Sequence, residues 1–327
     1  MFSKLSIKVL LIILVILGAI FVISEYSGDK ERSFSRVLLA VDTANVSEIQ
    51  IHFPSDGKDI ILKKNSPSDW SVHSDENTFP ADISVVKSIL AQFSEIKPER
   101  IAATSRERWS EYEVTDSAAI RVQLKDKSKT MADVYFGKFS YTQPPQGQQM
   151  QLQMQQQQGK MSTYVRKADE DKVYAVEGFL KMSYQKDVNS YRNKTLVNVN
   201  RDDISRLEFT YPDYSFVVEK VDNSWMMNNQ PADSLKTVRY LNKIQKLSST
   251  GFLPPATPKT GEAAYKIKIE GNNFNPVELS AIPTSDTLVK WVITSSVNPM
   301  AEFDGTKSKL FERAFVSETE FLPDKKE

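Results

Sequence analysis

Two aspartates are the first residues whose types and spacing could do chemistry. Asp82 and Asp233 stand in identical Pro-Ala-Asp triplets, in "TFPADISVVKSILAQF" (78–93) and "QPADSLKTVRYLNKI" (230–244). Paired carboxylates can act as general acid and base, provided that they converge within a few ångströms and one has a raised pKa. The two histidines, His52 and His73, do not have the spacing of a short metal-ligand pair. Cysteine is absent, which excludes disulfides, thiolate catalysis, thiolate metal sites and a lipid-modified cysteine. No Gly-x-Ser-x-Gly elbow, phosphate-cradling loop or dinucleotide fingerprint occurs, and 11 glycines leave little material for one. Trp70, Trp109, Trp225 and Trp291 could stack on sugars or serve as core anchors. No catalytic, cofactor-binding or metal-binding residue is therefore expected.

The segments that would position the two aspartates read as helices. Ile83, Val86, Leu90 and Phe93 follow the first triplet at helical spacing, and Leu235, Val238, Leu241 and Ile244 follow the second. An aspartate at such a junction accepts hydrogen bonds from unpaired first-turn amides and suits the positive helix end. Capping is thus the reading set against catalysis, because equivalent positions in serial modules ordinarily lie far apart.

The triplets belong to a longer repeat. "RVLLAVDTANVSEIQIHFP" (36–54) aligns without gaps on "KTLVNVNRDDISRLEFTYP" (194–212), and Ile49, Ile51 and Phe53 alternate as Leu207, Phe209 and Tyr211 do. Such alternation specifies a half-buried strand ending at a proline. "DIILKK" (59–64) answers "SFVVEK" (215–220), Trp70 answers Trp225, and "AAIRVQL" (118–124) answers "AAYKIKI" (263–269). "TYVRKADEDKVYAVE" (163–177) answers "KWVITSSVNPMAEFD" (290–304). The alignment offset falls by eighteen across "QPPQGQQMQLQMQQQQGK" (143–160), the length of that tract, which therefore reads as a hairpin-loop insertion, either a solvated spacer or a partner-binding loop. The fold class expected is α+β, with two tandem modules at 36–193 and 194–323. Each is mainly antiparallel, with six or seven short strands and one clear helix. "GFLKMSYQKDVNSYRN" (178–193) is expected as a closing helix, with "SKLFERAF" (308–315) as its shorter counterpart.

Forty-two basic and 42 acidic residues cancel, so no global field attracts nucleic acid. Val9 to Ile23 form an unbroken apolar run in which thirteen of fifteen residues are Val, Leu, Ile or Phe. Insertion of such a run gains roughly 4 to 8 kcal/mol. A transmembrane anchor is expected at 5–24 and a polar stalk at 25–35. Lys4 and Lys8 on one side and Glu25 and Asp29 on the other place the N-terminus in the cytoplasm and the remaining chain outside. A cleaved signal peptide is the rival reading, and it too exports the chain.

"RERWSEYEVTDSAAIRV" (106–122) is the most distinctive stretch without a clear partner in the second module, and its Arg106, Arg108, Glu111 and Glu113 suit a solvated charged face or a docking surface. "SFSRVLLAVDTANVSEIQI", Trp70, "RWSEYEVTD", "AAIRVQL" and "VYAV" (173–176), behind a short N-terminal span, resemble a bacterial domain-of-unknown-function family. The resemblance implies an extracytoplasmic β-rich repeat, encoded beside gliding-motility-type ABC transporter auxiliary components. The leading expectation is a non-enzymatic accessory protein of the inner membrane, with its C-terminal modules periplasmic and transporter subunits as partners. The alternatives are a periplasmic binding module for envelope glycan or peptide, and an envelope hydrolase built on scattered carboxylates.

Overall fold

The computed structural model describes residues 37–323 except 55–56, 75–76, 128, 143–159 and 255–256. The expected anchor at 5–24, the stalk at 25–35 and nearly all of the glutamine tract lie outside the described residues. Among the described residues, no helix is long and apolar enough to cross a membrane.

The first large sheet uses β1 (Glu48–Phe53), β2 (Lys58–Ser66), β3 (Asp69–Ser74), β4 (Asn77–Pro80), β5 (Pro98–Ala103), β6 (Ile120–Asp126), β7 (Lys129–Thr142), β8 (Lys160–Lys167) and β9 (Val173–Glu177). Its order is β4-β3-β2-β1-β6-β7-β8-β9-β5. A small two-stranded sheet pairs β10 (Thr195–Asn198) with β15 (Lys246–Ser248). The second large sheet uses β11 (Ile204–Thr210), β12 (Ser215–Val221), β13 (Ser224–Met227), β14 (Gln230–Pro231), β16 (Tyr265–Gly271), β17 (Val277–Pro283), β18 (Trp291–Ser295) and β19 (Phe303–Asp304). Its order, β14-β13-β12-β11-β16-β17-β18-β19, repeats that of the first sheet strand for strand up to β9. The architecture is α+β with two large antiparallel sheets, and helices α1 (Ile83–Ser94) and α2 (Ser234–Ile244) occupy equivalent places after β4 and β14.

The correspondence extends to single contacts. Leu39 bridges Ile96 in the first module, and Val197 pairs with Leu247 at the aligned positions of the second. The Ala81 amide donates to the Trp70 carbonyl at 2.8 Å, and the Ala232 amide donates to that of Trp225 at 2.9 Å. Tight turns carry the expected chemistry: Asp222 and Asn223 have φ of 45° and 64° between β12 and β13, the left-handed pair that a two-residue hairpin demands.

Alternation decides burial as the sequence predicts. Ile49, Ile51 and Phe53 are buried along β1, as are Leu207, Phe209 and Tyr211 in the second module. Trp70 and Trp225 are buried anchors at the second position of their strands. Two expectations need correction. The strands number nine and ten in the two modules among the described residues, because pairs as short as β14 and β19 carry no readable period. The segment 178–193 is not a helix but two 3₁₀ turns, Leu180–Ser183 and Val188–Ser190. Gly178, at φ 103°, turns the chain off β9, and the Tyr191 hydroxyl bonds both backbone groups of Gln185, which holds the segment in turns. The shorter counterpart does form a helix, α3 (Leu310–Ala314).

Close packing groups the chain into two compact units. One contains Ala91–Val122 and Ala132–Ser183 with the described residues up to Ala44; the other contains Asn45–Leu90, Gln123–Met131 and the chain from Tyr184 onward.

Candidate functional site

Both Pro-Ala-Asp carboxylates serve their own helices. The Asp233 Oδ1 accepts from the amides of Leu235 at 2.9 Å and Lys236 at 3.0 Å. The Asp82 Oδ1 accepts from the Ser84 amide at 2.9 Å, while Oδ2 meets the Lys194 ammonium at 3.1 Å. Partial burial pushes the Asp82 pKa up, but bonds from Ser84 and the Lys194 charge outweigh it and hold the carboxyl below its ordinary range. A general acid needs the opposite shift.

The histidines are tied into strand faces. His52 Nδ1 lies 2.7 Å from Asp59 Oδ1, and His73 bonds the hydroxyls of Ser71 and Thr78 at 2.9 and 2.8 Å. Burial and nearby Lys63 lower the His73 pKa from its ordinary value. Among the described residues, no group of three or more His, Asp or Glu is placed to hold a metal ion.

The unmatched stretch 106–116 builds something that the second module does not have. Arg166, only 2 % exposed, faces Tyr135 across β7 and β8, whereas Ile293, its partner in the repeat alignment, faces Ala281 across β17 and β18. A buried apolar pair in one module is thus an arginine and a tyrosine in the other. The Arg166 guanidinium lies 3.9 Å from the centroid of Tyr135 and 3.8 Å from that of Trp109, between two aromatic rings. Its Nε donates to the Val114 carbonyl at 3.0 Å, and Nη2 to Asp116 Oδ1 at 3.2 Å.

Local chemistry fixes the stretch over the arginine. Arg106–Arg108 form a 3₁₀ turn, and the Trp109 indole donates to the Asp171 carbonyl at 2.8 Å. Tyr112 packs edge-on against Tyr164 at 4.5 Å, and its hydroxyl donates to the Ala102 carbonyl at 3.0 Å. The Lys138 amide donates to the Tyr112 carbonyl at 3.1 Å, an approach that only a glycine at 137 permits, because a Cβ there would sit 2.2 Å from that oxygen.

What faces water is a rim of alternating charge. Arg106 pairs with Asp171 at 2.7 Å and Arg108 with Glu111 at 2.9 Å, both exposed, and the Asp116 side chain is 79 % exposed. Behind them Arg121 binds Asp133 through two bonds of 2.8 and 2.6 Å, which raise the arginine pKa further above its ordinary range. Burial raises the Tyr135 pKa, and the Asp116 carboxylate adds to that rise. Of the expected charged stretch, Arg106, Arg108, Glu111 and Glu113 are all exposed and each holds an ion pair, Glu113 with Lys181 at 3.8 Å. Arg166 and Tyr135 escape sequence reading, since the only signal for them is an arginine standing over an isoleucine in the repeat alignment.

A comparison with family models matches residues 70–268, more than half of the chain, to a family described as "Domain of unknown function (DUF4340)". No curated protein and no solved structure matches the chain.

Proposed function

The chain belongs to the DUF4340 family, and from that premise we propose a non-enzymatic, membrane-anchored accessory protein whose first module presents the recognition surface. The observation that carries this reading is the stretch around Trp109, present in one module only, folded onto the buried Arg166 and showing an exposed charged rim. Duplication supplies a stiff framework, and the divergence of one copy supplies specificity. The carboxylates best placed by sequence for acid and base work cap helices instead.

In this proposal Val9 to Ile23 span the cytoplasmic membrane with the N-terminus inside, and both modules lie on the extracytoplasmic face. The partner class is a membrane subunit of an ABC-type transporter or of a gliding-motility-like envelope complex, a proposal taken from the resemblance of the sequence to families found in that setting. Purification of the tagged chain from its own membranes in mild detergent tests it. Co-purification of a transporter membrane subunit, lost on reversing Arg108 and Glu111 to Glu and Arg, is expected; a chain that emerges alone at physiological salt contradicts the proposal.

A further inference from the structure

Four large apolar side chains are exposed together in the unit that carries the Trp109 platform. Phe139 (55 %) and Tyr141 (53 %) alternate on the outer end of β7, and Phe179 (40 %) and Met182 (64 %) come from the turn after β9. This grouping is built rather than accidental. The rings of Phe139 and Phe179 meet edge-on at 5.7 Å. Thr163, opposite Phe139 in the register, donates its hydroxyl to the Gly178 carbonyl at 2.6 Å and accepts from the Leu180 amide at 3.0 Å, clamping the turn against the strand. Exposed apolar side chains on neighbouring segments, two of them in ring contact, suit an interaction site.

The same unit receives the chain from its apolar N-terminal segment. The Leu38 amide donates to the Ile96 carbonyl at 2.8 Å, and the Val41 amide to that of Phe93 at 3.1 Å, at the end of α1. One residue earlier in that helix, the Gln92 side-chain Nε2 donates to the Ser183 hydroxyl, next to Met182. The point where the described chain begins and the apolar patch therefore share one helix end. Thirteen residues separate Ile23 from Val37, a reach of at most about 45 Å.

We propose that Phe139, Tyr141, Phe179 and Met182 insert into the outer leaflet of the bilayer and seat this unit on the membrane surface. The inference rests on the reading that Val9 to Ile23 span that bilayer. Its chemistry is interfacial: aromatic and thioether side chains occupy the boundary between headgroup and acyl chain. Two lysines near the patch are held in ion pairs, Lys160 with Glu99 at 3.4 Å and Lys181 with Glu113 at 3.8 Å. Insertion therefore depends on apolar contact more than on anionic lipid.

The natural absence of cysteine permits a direct test with the full chain in phosphatidylcholine vesicles that carry a quencher on the acyl chain. An environment-sensitive dye is placed singly by Tyr141→Cys, Met182→Cys, Leu288→Cys or Val15→Cys. Quenching of at least about twofold is expected at 141 and 182, little changed between about 0.05 and 0.5 M salt, with none at Leu288, an exposed control in the other unit. Quenching at 15 without quenching at 141 and 182 overturns the inference and leaves the anchor standing. Loss at 15 with quenching retained at 141 and 182 overturns the anchor and supports the patch. Loss at all three overturns both, and quenching that appears only with anionic lipid at low salt overturns the apolar mechanism.

Discussion

The guanidinium of Arg166 lies 3.8 Å from the centroid of the Trp109 ring, although 57 positions of sequence and a β-sheet register separate the two residues. The contact ties a stretch without a clear counterpart in the second module to a buried charge that stands where the second module has an isoleucine. Unmatched stretch and sheet framework meet at that pair.

Arg166→Ala removes two ring contacts and leaves the Val114 carbonyl without its donor, so a loss of about 3 kcal/mol of stability is expected. Arg166→Lys is expected to lose about half as much, since an ammonium keeps the charge but not the planar stack. Urea unfolding midpoints of the two variants check the order; equal losses contradict the stacking account.

The two triplets predict matched behaviour. Asp82→Ala and Asp233→Ala each remove a helix cap and are expected to cost about 1 kcal/mol. Thermal unfolding of both variants is the check, and an effect confined to one of them contradicts equivalent roles.

Asp82 also carries a pH signature. Its folded-state pKa is depressed despite the upward push of burial, so its contribution is complete above the unfolded value and disappears as pH falls through the folded one. Stability should decline on the acid side of about pH 4, and Asp82→Asn should flatten that decline. Unfolding midpoints across that range decide; an unchanged acid limb contradicts the ion pair with Lys194.

Arg192 is 6 % exposed between Phe79 at 3.7 Å and Phe252 at 4.0 Å, and donates to Asn189 at 3.0 Å. Burial pushes its pKa down to about 10, the mark of a charge held at a cost. Arg192→Met keeps the stem between the rings and should change stability by less than about 1 kcal/mol, whereas Arg192→Ala should cost about 3. Chemical unfolding of the pair tests this, and equal losses contradict it.

Thr142 and Lys160 pair in register at the open end of β7 and β8. Shortening the intervening tract to four residues should preserve the fold and raise stability by about 1 kcal/mol, as loop-closure entropy predicts. Circular dichroism and the unfolding midpoint are the readouts; a destabilised product contradicts the spacer reading.

The sequence made legible whatever depends on local period or direct repetition. Alternation in "EIQIHF" and "RLEFTY" placed both central strands, and the triplets placed α1 and α2. The segment 178–193 misled because its apolar spacing mimics a helix, while Gly178 and the Tyr191 hydroxyl favour turns. Arg166 stayed hidden because "TYVRKA" reads as an ordinary strand, and only the register shows that its guanidinium points into a core beneath Trp109. Tertiary contacts between distant segments leave no trace in local pattern.

The accessory role is tested most directly by a photo-reactive amino acid placed at Glu111, on the exposed rim, in cells that make the full chain. The account predicts one dominant adduct, an ABC-type transporter membrane subunit, that disappears when Arg166→Ala loosens the platform. Illumination that yields no protein adduct at Glu111, or the same adduct from a probe at Leu288 on the other unit, contradicts it.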